Sequence, residues 1–175
     1  QREAYLAGRV VVATGGVSYP LTGSTGDGYR LARQAGHTVV EPRGSLVPLC
    51  AAGDLCPRLQ GLSLRNAALR AYENNKLIYS DFGEMLFTHF GVSGPMVLSA
   101  SAHMRYFEKK SYRLEIDLTP ALDRQALDKR LVSDFAKHAN SDFVNAFDEL
   151  LPRKLAEPFA ELTGVPLRQK VHDLT

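Results

Sequence analysis

A chain of 175 residues, 45% of them hydrophobic and 23% charged, is long enough for one medium domain or for a small domain with part of another. Its 21 Lys and Arg against 19 Asp and Glu leave a formal charge of +2 spread along the sequence, which argues against a nucleic-acid or anionic-membrane footprint. No apolar run approaches the ~20 residues that span a bilayer and no charged-then-apolar signal opens the chain, so the expected location is the cytoplasm, away from membranes.

In chain order, the first pattern is Val10-Val11-Val12-Ala13, a β-branched run of the kind that fills a buried parallel strand. No strand or helix precedes it to pair with, and the expectation is that the chain is an internal piece of a longer protein. Thr14-Gly15-Gly16 breaks the run into a loop rich in Gly, Ser, Thr and Pro that reaches Gly26, the place where α/β folds put ligands. Asp27 then caps a predicted helix whose stripe is Tyr29, Leu31, Ala32 and Ala35, with Gly36 as its stop, and His37 to Val40 reads as a short strand ended by Pro42.

Around Leu46 to Leu49 the character changes to short strands: Leu62 to Tyr72, Lys76 to Phe82 and Tyr112 to Leu118. Asn74-Asn75 suits the tight hairpin turn between the first two, since Asn tolerates positive φ. Tyr112, Leu114, Ile116 and Leu118 alternate with Arg113, Glu115 and Asp117, the signature of a half-buried strand in an antiparallel sheet or barrel. Pro95 at a favoured first helical position predicts a helix from Met96 to about Tyr106. After Thr119-Pro120 three helical stripes follow: Ala126 to Phe135, Phe143 to Leu151, and Leu155 to Leu162, the last ended by Gly164. The tail from Val165 onward shows no clear element.

Three stretches carry candidate chemistry. The diglycine Gly15-Gly16 after an apolar run lets a backbone approach a ligand and offers unobstructed N–H groups, although an ordinary tight turn has the same spelling. Gly23-Ser24-Thr25-Gly26-Asp27-Gly28 combines glycines with a helix start and suits a phosphate or carboxylate, or simply a capped helix. It is neither a P-loop, lacking Lys-Ser/Thr, nor the dinucleotide fingerprint, since Leu31 stands where the third glycine belongs. In Gly83 to Pro95, Thr88, His89 and Ser93 gather hydroxyl and imidazole groups able to bind or protonate a carbonyl, against the alternative of a structural histidine. Cys50 and Cys56 match no redox pair or zinc knuckle, the five histidines are scattered, and no metal site is expected. The absence of G-x-S-x-G argues against an α/β hydrolase.

The phrases Val12-Ala13-Thr14-Gly15-Gly16-Val17-Ser18-Tyr19-Pro20, Thr22-Gly23-Ser24-Thr25-Gly26-Asp27-Gly28-Tyr29, Gly36-His37-Thr38 and Ser45-Leu46-Val47-Pro48-Leu49 together resemble the NAD(P)/FAD-dependent oxidoreductases of the aminoacetone-oxidase-like and dehydro-bile-acid-reductase-like type. Gly83 to Pro95 and Leu150-Leu151-Pro152-Arg153-Lys154-Leu155 resemble two further hallmarks of that family. The resemblance implies an α+β fold: the C-terminal part of a Rossmann-like FAD segment over 1–47, then an inserted substrate domain over 48–175. In that insert antiparallel, barrel-like strands occupy about 48–118 and helices about 120–164.

By the same similarity Ala13, Thr14, Gly15 and Gly16 lie against FAD. The loop holding Tyr19, Pro20, Gly23, Gly26 and Asp27 lies near the isoalloxazine, and Phe87 to Pro95 border the cleft where a small-molecule substrate meets the flavin. His89 is the expected proton donor or positioning group, beside Thr88 and Ser93. The implied activity is hydride transfer between FAD and either NAD(P)H or an organic substrate. The G-x-G-x-x-G strand and the closing flavin segment that the family pattern requires are not in this sequence. This piece alone is therefore expected to be inactive, needing the N- and C-terminal parts of its own chain as partners. The alternative is an interaction module without redox activity.

Overall fold

The computed structural model describes residues 3–174 and divides at Arg43 and Gly44 into two compact units. In the first unit, a 3-10 turn (Pro20–Thr22) precedes helix α1 (Asp27–Gln34). Val10 to Ala13 are extended but form no strand, and Val10, Val11 and Val12 are 80%, 88% and 53% exposed. The expected buried parallel strand is thus corrected: a strand's N–H and C=O groups need neighbours on the ladder, and the described residues of this unit supply none. His37 to Val40 likewise form no strand, and no Rossmann sheet is built by residues 3–43. The helix cap also differs, since Gly26, in the left-handed conformation, is the N-cap and Asp27 is the first helical residue, paired with Arg30 at 3.1 Å.

The second unit is an α+β body around a curled antiparallel half-barrel sheet. Its strands are β1 (Leu49–Cys50), β2 (Ser63–Glu73), β3 (Lys76–Phe87), β4 (Gly91–Ser93) and β5 (Tyr112–Asp117), ordered β1-β4-β3-β2-β5. The β2–β3 hairpin dominates it. Asn74 and Asn75 take φ of 47° and 69°, the two positive values a twist-matched two-residue turn demands. Register shifts between Leu64 and Ala67 and between Ala71 and Tyr72 are the bulges that curl the sheet. Leu64, Ala67, Leu69 and Ala71 consequently all point into the core.

Four helices complete this unit: α2 (Leu55–Arg58), α3 (Pro95–Ser101), α4 (Arg124–Lys137) and α5 (Arg153–Thr163). Pro95 does open α3, which ends at Ser101 rather than near Tyr106, the chain continuing in turns. Met96 and Val97 seal the core beneath it, and the buried Ser101 hydroxyl donates to the Leu98 carbonyl while accepting the Val47 amide at 2.9 Å. The second predicted helical stripe is a 3-10 segment (Phe143–Phe147), and the tail holds a 3-10 turn (Val171–Asp173). Helices α2 and α5 are tied by Arg58 and Glu161, and the Lys154 ammonium donates to the Gln60 carbonyl.

One buried carboxylate in this unit is held by two cations. Asp134 on α4 is 1% exposed and accepts from Arg130 at 2.6 Å and from Lys137 at 3.4 Å. The Arg130 guanidinium, helped by Lys137 and opposed by burial, holds its carboxyl below the usual carboxylate range. A carboxyl depressed on folding stabilises the fold above its unfolded pKa of about 4, and that contribution is lost as pH falls through the lower folded value. Asp134→Asn is therefore expected to lower Tm at neutral pH and to flatten the acid limb below about pH 4. Thermal melts from pH 7 downward check this: a variant whose Tm stays parallel to wild type throughout would show that the pair contributes nothing.

Candidate functional site

Two places in the chain gather the residues singled out above. In the first unit the Thr14-Gly15-Gly16 bend lies against the start of α1. The Gly26 amide donates to the Gly16 carbonyl at 3.1 Å, and a Cβ on Gly28 would stand 2.6 Å from Thr14 Oγ1, so the extended segment and the helix approach as closely as glycine permits. Gly15 has a φ of 73°, which only a residue without Cβ adopts cheaply. Among the described residues neither the Gly15 nor the Gly16 amide has an acceptor.

The loop ahead of α1 is self-braced. The Tyr19 carbonyl accepts from the Thr22 amide at 3.0 Å and from its hydroxyl at 2.8 Å, Pro20 opens the 3-10 turn, and Gly23 closes it by donating to the Pro20 carbonyl at 3.0 Å. Ala13, Thr14, Gly15, Tyr19, Pro20, Gly23 and Asp27 are exposed, with Gly16 and Gly26 half-buried.

For a flavin nucleotide this arrangement fits as one wall. Two unpaired amides on a side-chain-free edge are suited to a polar ring edge or an anionic group. The hollow beside them, lined by Val17, Gly26, Tyr29, Arg33, Glu41 and Pro42, measures about 240 Å³ and does not itself enclose a nucleotide.

In the second unit Thr88, His89 and Phe90 form the turn from β3 to β4. The Thr88 amide donates to the Gly91 carbonyl at 2.8 Å, and the Gly91 amide returns to Thr88 Oγ1 at 3.1 Å, so the threonine hydroxyl closes the turn. His89 is exposed at the tip, its ring edge-on to Phe90 at 4.9 Å. Ser93 pairs with Leu86 in the ladder and is half-buried. Among the described residues no hydrogen bond joins Thr88, His89 and Ser93, and no group of His, Cys, Asp and Glu is placed to hold a metal.

A third feature was not anticipated from sequence. Between the β5 edge of the sheet and the helical layer lies a cavity of about 760 Å³, lined by Ile116, Leu131, Phe135, Phe143, Phe147 and Phe159 among others. Its volume falls within the ~300–1,000 Å³ of small-molecule pockets. The helical spacing of these residues predicts which face each helix buries; it carries no information on whether the facing side chains meet or leave a space.

A curled antiparallel half-barrel followed by a short helical layer, with a braced diglycine loop ahead of it in sequence, defines the class as an α+β barrel-and-helix protein. The chain belongs to the HI0933-like protein barrel and H2TH domain family, whose profile matches residues 43–175. At family level its similarity is to oxidoreductase-type flavoproteins.

Among known proteins it is 32% identical over 160 residues to a ribosomal RNA dihydrouridine synthase of Escherichia coli (strain K12), covering 90% of this chain and 37% of that protein. It is 27% identical over 165 residues to a 3-dehydro-bile acid delta(4,6)-reductase of Clostridium scindens, covering 93% and 40%. A ribosomal RNA dihydrouridine synthase of Haemophilus influenzae is 33% identical over 154 residues, covering 87% and 35%. The chain thus spans about two fifths of the length of the curated relatives it matches. No helix among the described residues is long and apolar enough to cross a membrane.

Proposed function

We propose that this chain is the flavin-contacting loop and the substrate domain of an FAD-dependent oxidoreductase that transfers hydride between the flavin and either NAD(P)H or an organic substrate. The observation that carries the reading is the Gly15-Gly16 edge, with two unpaired amides beside the start of α1 and the Gly16 carbonyl bonded to the Gly26 amide. On this reading residues 1–47 belong to the flavin side and 48–175 to the substrate domain. The relatives' names add the reaction class: dihydrouridine is uridine with its ring double bond saturated, and a delta(4,6)-reductase acts on double bonds. Saturating one such bond consumes one NAD(P)H and one proton.

When bound, FAD supplies the two-electron carrier for this reaction. The chain's own residues bind and orient. The Gly15 and Gly16 amides donate to polar atoms of the cofactor, Ala13 and Thr14 continue that edge, and Tyr19, Pro20, Gly23, Gly26 and Asp27 frame it. The His89 imidazole holds or delivers the proton, and the Thr88 and Ser93 hydroxyls position substrate.

The test uses the complete parent protein. It is expected to purify yellow and to bleach with NADH or NADPH. Gly15→Val, which adds a Cβ at positive φ and bulk on the amide edge, is expected to reduce flavin retention at least about tenfold at equal folding. His89→Gln should slow flavin reduction or reoxidation, and unchanged rates would remove it from the mechanism. A colourless wild-type protein that gains no colour on adding FAD would overturn the reading.

A second reading concerns substrate alone. The names of the 32% and 33% identical relatives favour ribosomal RNA, whereas the balanced and dispersed charge of this chain favours a small molecule. NAD(P)H oxidation in the presence of each substrate class separates the two.

A further inference from the structure

The sheet ends on β5, with no strand beyond it among the described residues. Its register with β2 runs unbroken from Tyr112 opposite Glu73 to Asp117 opposite Ala68, whereas the β2–β3 pair is bulged. Just ahead of β5, the Ser111 carbonyl accepts from the Asn74 amide at 2.9 Å and the Ser111 amide donates to Asn74 Oδ1 at 3.0 Å, so the backbone groups of Ser111 face the hairpin. By the two-residue period of a strand, Arg113, Glu115 and Asp117 turn their amides and carbonyls to β2 as well. Tyr112, Leu114 and Ile116 turn theirs outward. Such an edge is a template for another strand, and β5 carries neither the proline, the lysine nor the bulge by which edges are blunted.

We infer that β5 pairs antiparallel with β5 of a second copy of this chain about a twofold axis at Leu114. The charges select this occupant and this register. With Leu114 opposite its own mate, Arg113 of each chain stands opposite Glu115 of the other, and Tyr112 stands opposite Ile116. Moving the axis to Arg113 or to Glu115 would set like charges face to face, which is unfavourable. The Arg113–Glu115 positions also fall where no backbone bonds are exchanged, and there facing side chains approach most closely. Within one chain Arg113 pairs with Glu115 and lies over the Tyr72 ring at 4.5 Å, which holds both charges on the face where the mate's counterparts arrive. On the other face the half-buried Leu114 and Ile116 meet apolar counterparts beside the 760 Å³ hollow. The surface lies wholly within residues 44–175 and involves no flavin, so it stands apart from the redox reading.

Sedimentation equilibrium of the complete protein at several concentrations is expected to show a reversible monomer–dimer equilibrium. Arg113→Glu alone and Glu115→Arg alone each turn two attractive cross-strand pairs into two repulsive ones, and each is expected to weaken the dimer at least about tenfold. Mixed in equal amounts, the two variants are expected to recover it, because each supplies the charge that the other lacks. A role confined to the folding of one chain would give no such recovery.

Amide exchange of the wild-type protein locates the contact without any substitution. Protection at Leu114 and Ile116 is expected to rise with concentration, while that at Arg113 and Glu115, whose amides face β2, stays level. A protein that remains monomeric, single variants that dimerise as wild type does, or a mixture that recovers nothing would each overturn the assignment. Protection at Leu114 and Ile116 that is independent of concentration would show the edge covered from within the same protein, and would overturn it too. Failure of the flavin experiment above leaves this one unaffected.

Discussion

Gly91→Ala is expected to destabilise the second unit by about 3 kcal/mol, the upper end of what forced overpacking costs. A Cβ at this position would overlap the Leu49 carbonyl oxygen and stand 2.8 Å from the Ala51 nitrogen and 2.9 Å from the Cys50 Cα. All three atoms are backbone, so no rotamer change relieves the clash. The β1–β4 ladder, Leu49 with Val92 and Cys50 with Gly91, has to open, and with it the Ala51 amide's bond to the Phe90 carbonyl. Because β1 is the sheet's terminal strand and meets only β4, it has no other edge to which it can transfer. Urea unfolding measures the loss; a change under about 1 kcal/mol would mean that the strands separate easily and that the close approach is not a requirement of the fold.

Phe147→Ala is expected to cost about 3–5 kcal/mol, the range for truncating a buried aromatic ring. Phe147 is 4% exposed and sits at the centre of an edge-on cluster, with ring centroids 5.1 Å from Phe143, 5.3 Å from Phe159 and 6.0 Å from Phe135. Those partners come from α4, the 3-10 segment and α5, so one ring joins the whole helical layer. Its loss also enlarges the 760 Å³ cavity that this ring lines. Denaturation midpoints give the magnitude, and amide exchange gives the location: protection is expected to fall first over residues 124–163, with β2 and β3 holding. Uniform loss across both layers would show that the cluster is not a separate cooperative unit.

The two strongest local patterns transferred directly into structure. The alternation through Tyr112 to Leu118 and the Asn74-Asn75 turn each express a rule that operates within a few residues, and both are present. Pro95 and Gly164 mark the start of α3 and the end of α5 for the same reason. The β-branched run Val10 to Ala13 failed as a strand because a strand is a property of its neighbours, and none of the described residues pairs with it. Thr88, His89 and Ser93 were legible as a cluster in sequence, yet Thr88 closes a turn and Ser93 lies in a ladder, leaving His89 alone at the tip. The Gly26–Gly16 hydrogen bond was legible in neither motif, since each is unremarkable until the loop folds back on itself.

What this sequence determined by itself was the Asn74-Asn75 turn with its two flanking strands, the strand from Tyr112, the start of α3 and the end of α5, because turn chemistry, apolar spacing and helix stop signals act over a few residues along the chain. The family kinship was also legible there, because ordered motifs survive as spelling. Only the tertiary structure decided that Gly91 permits two backbones to touch, that Asp134 is buried with its cations, and that Arg70 faces an apolar hollow. Each of those depends on segments far apart in sequence arriving at one place, and the curl of the sheet, set by its bulges, decides which of them arrive.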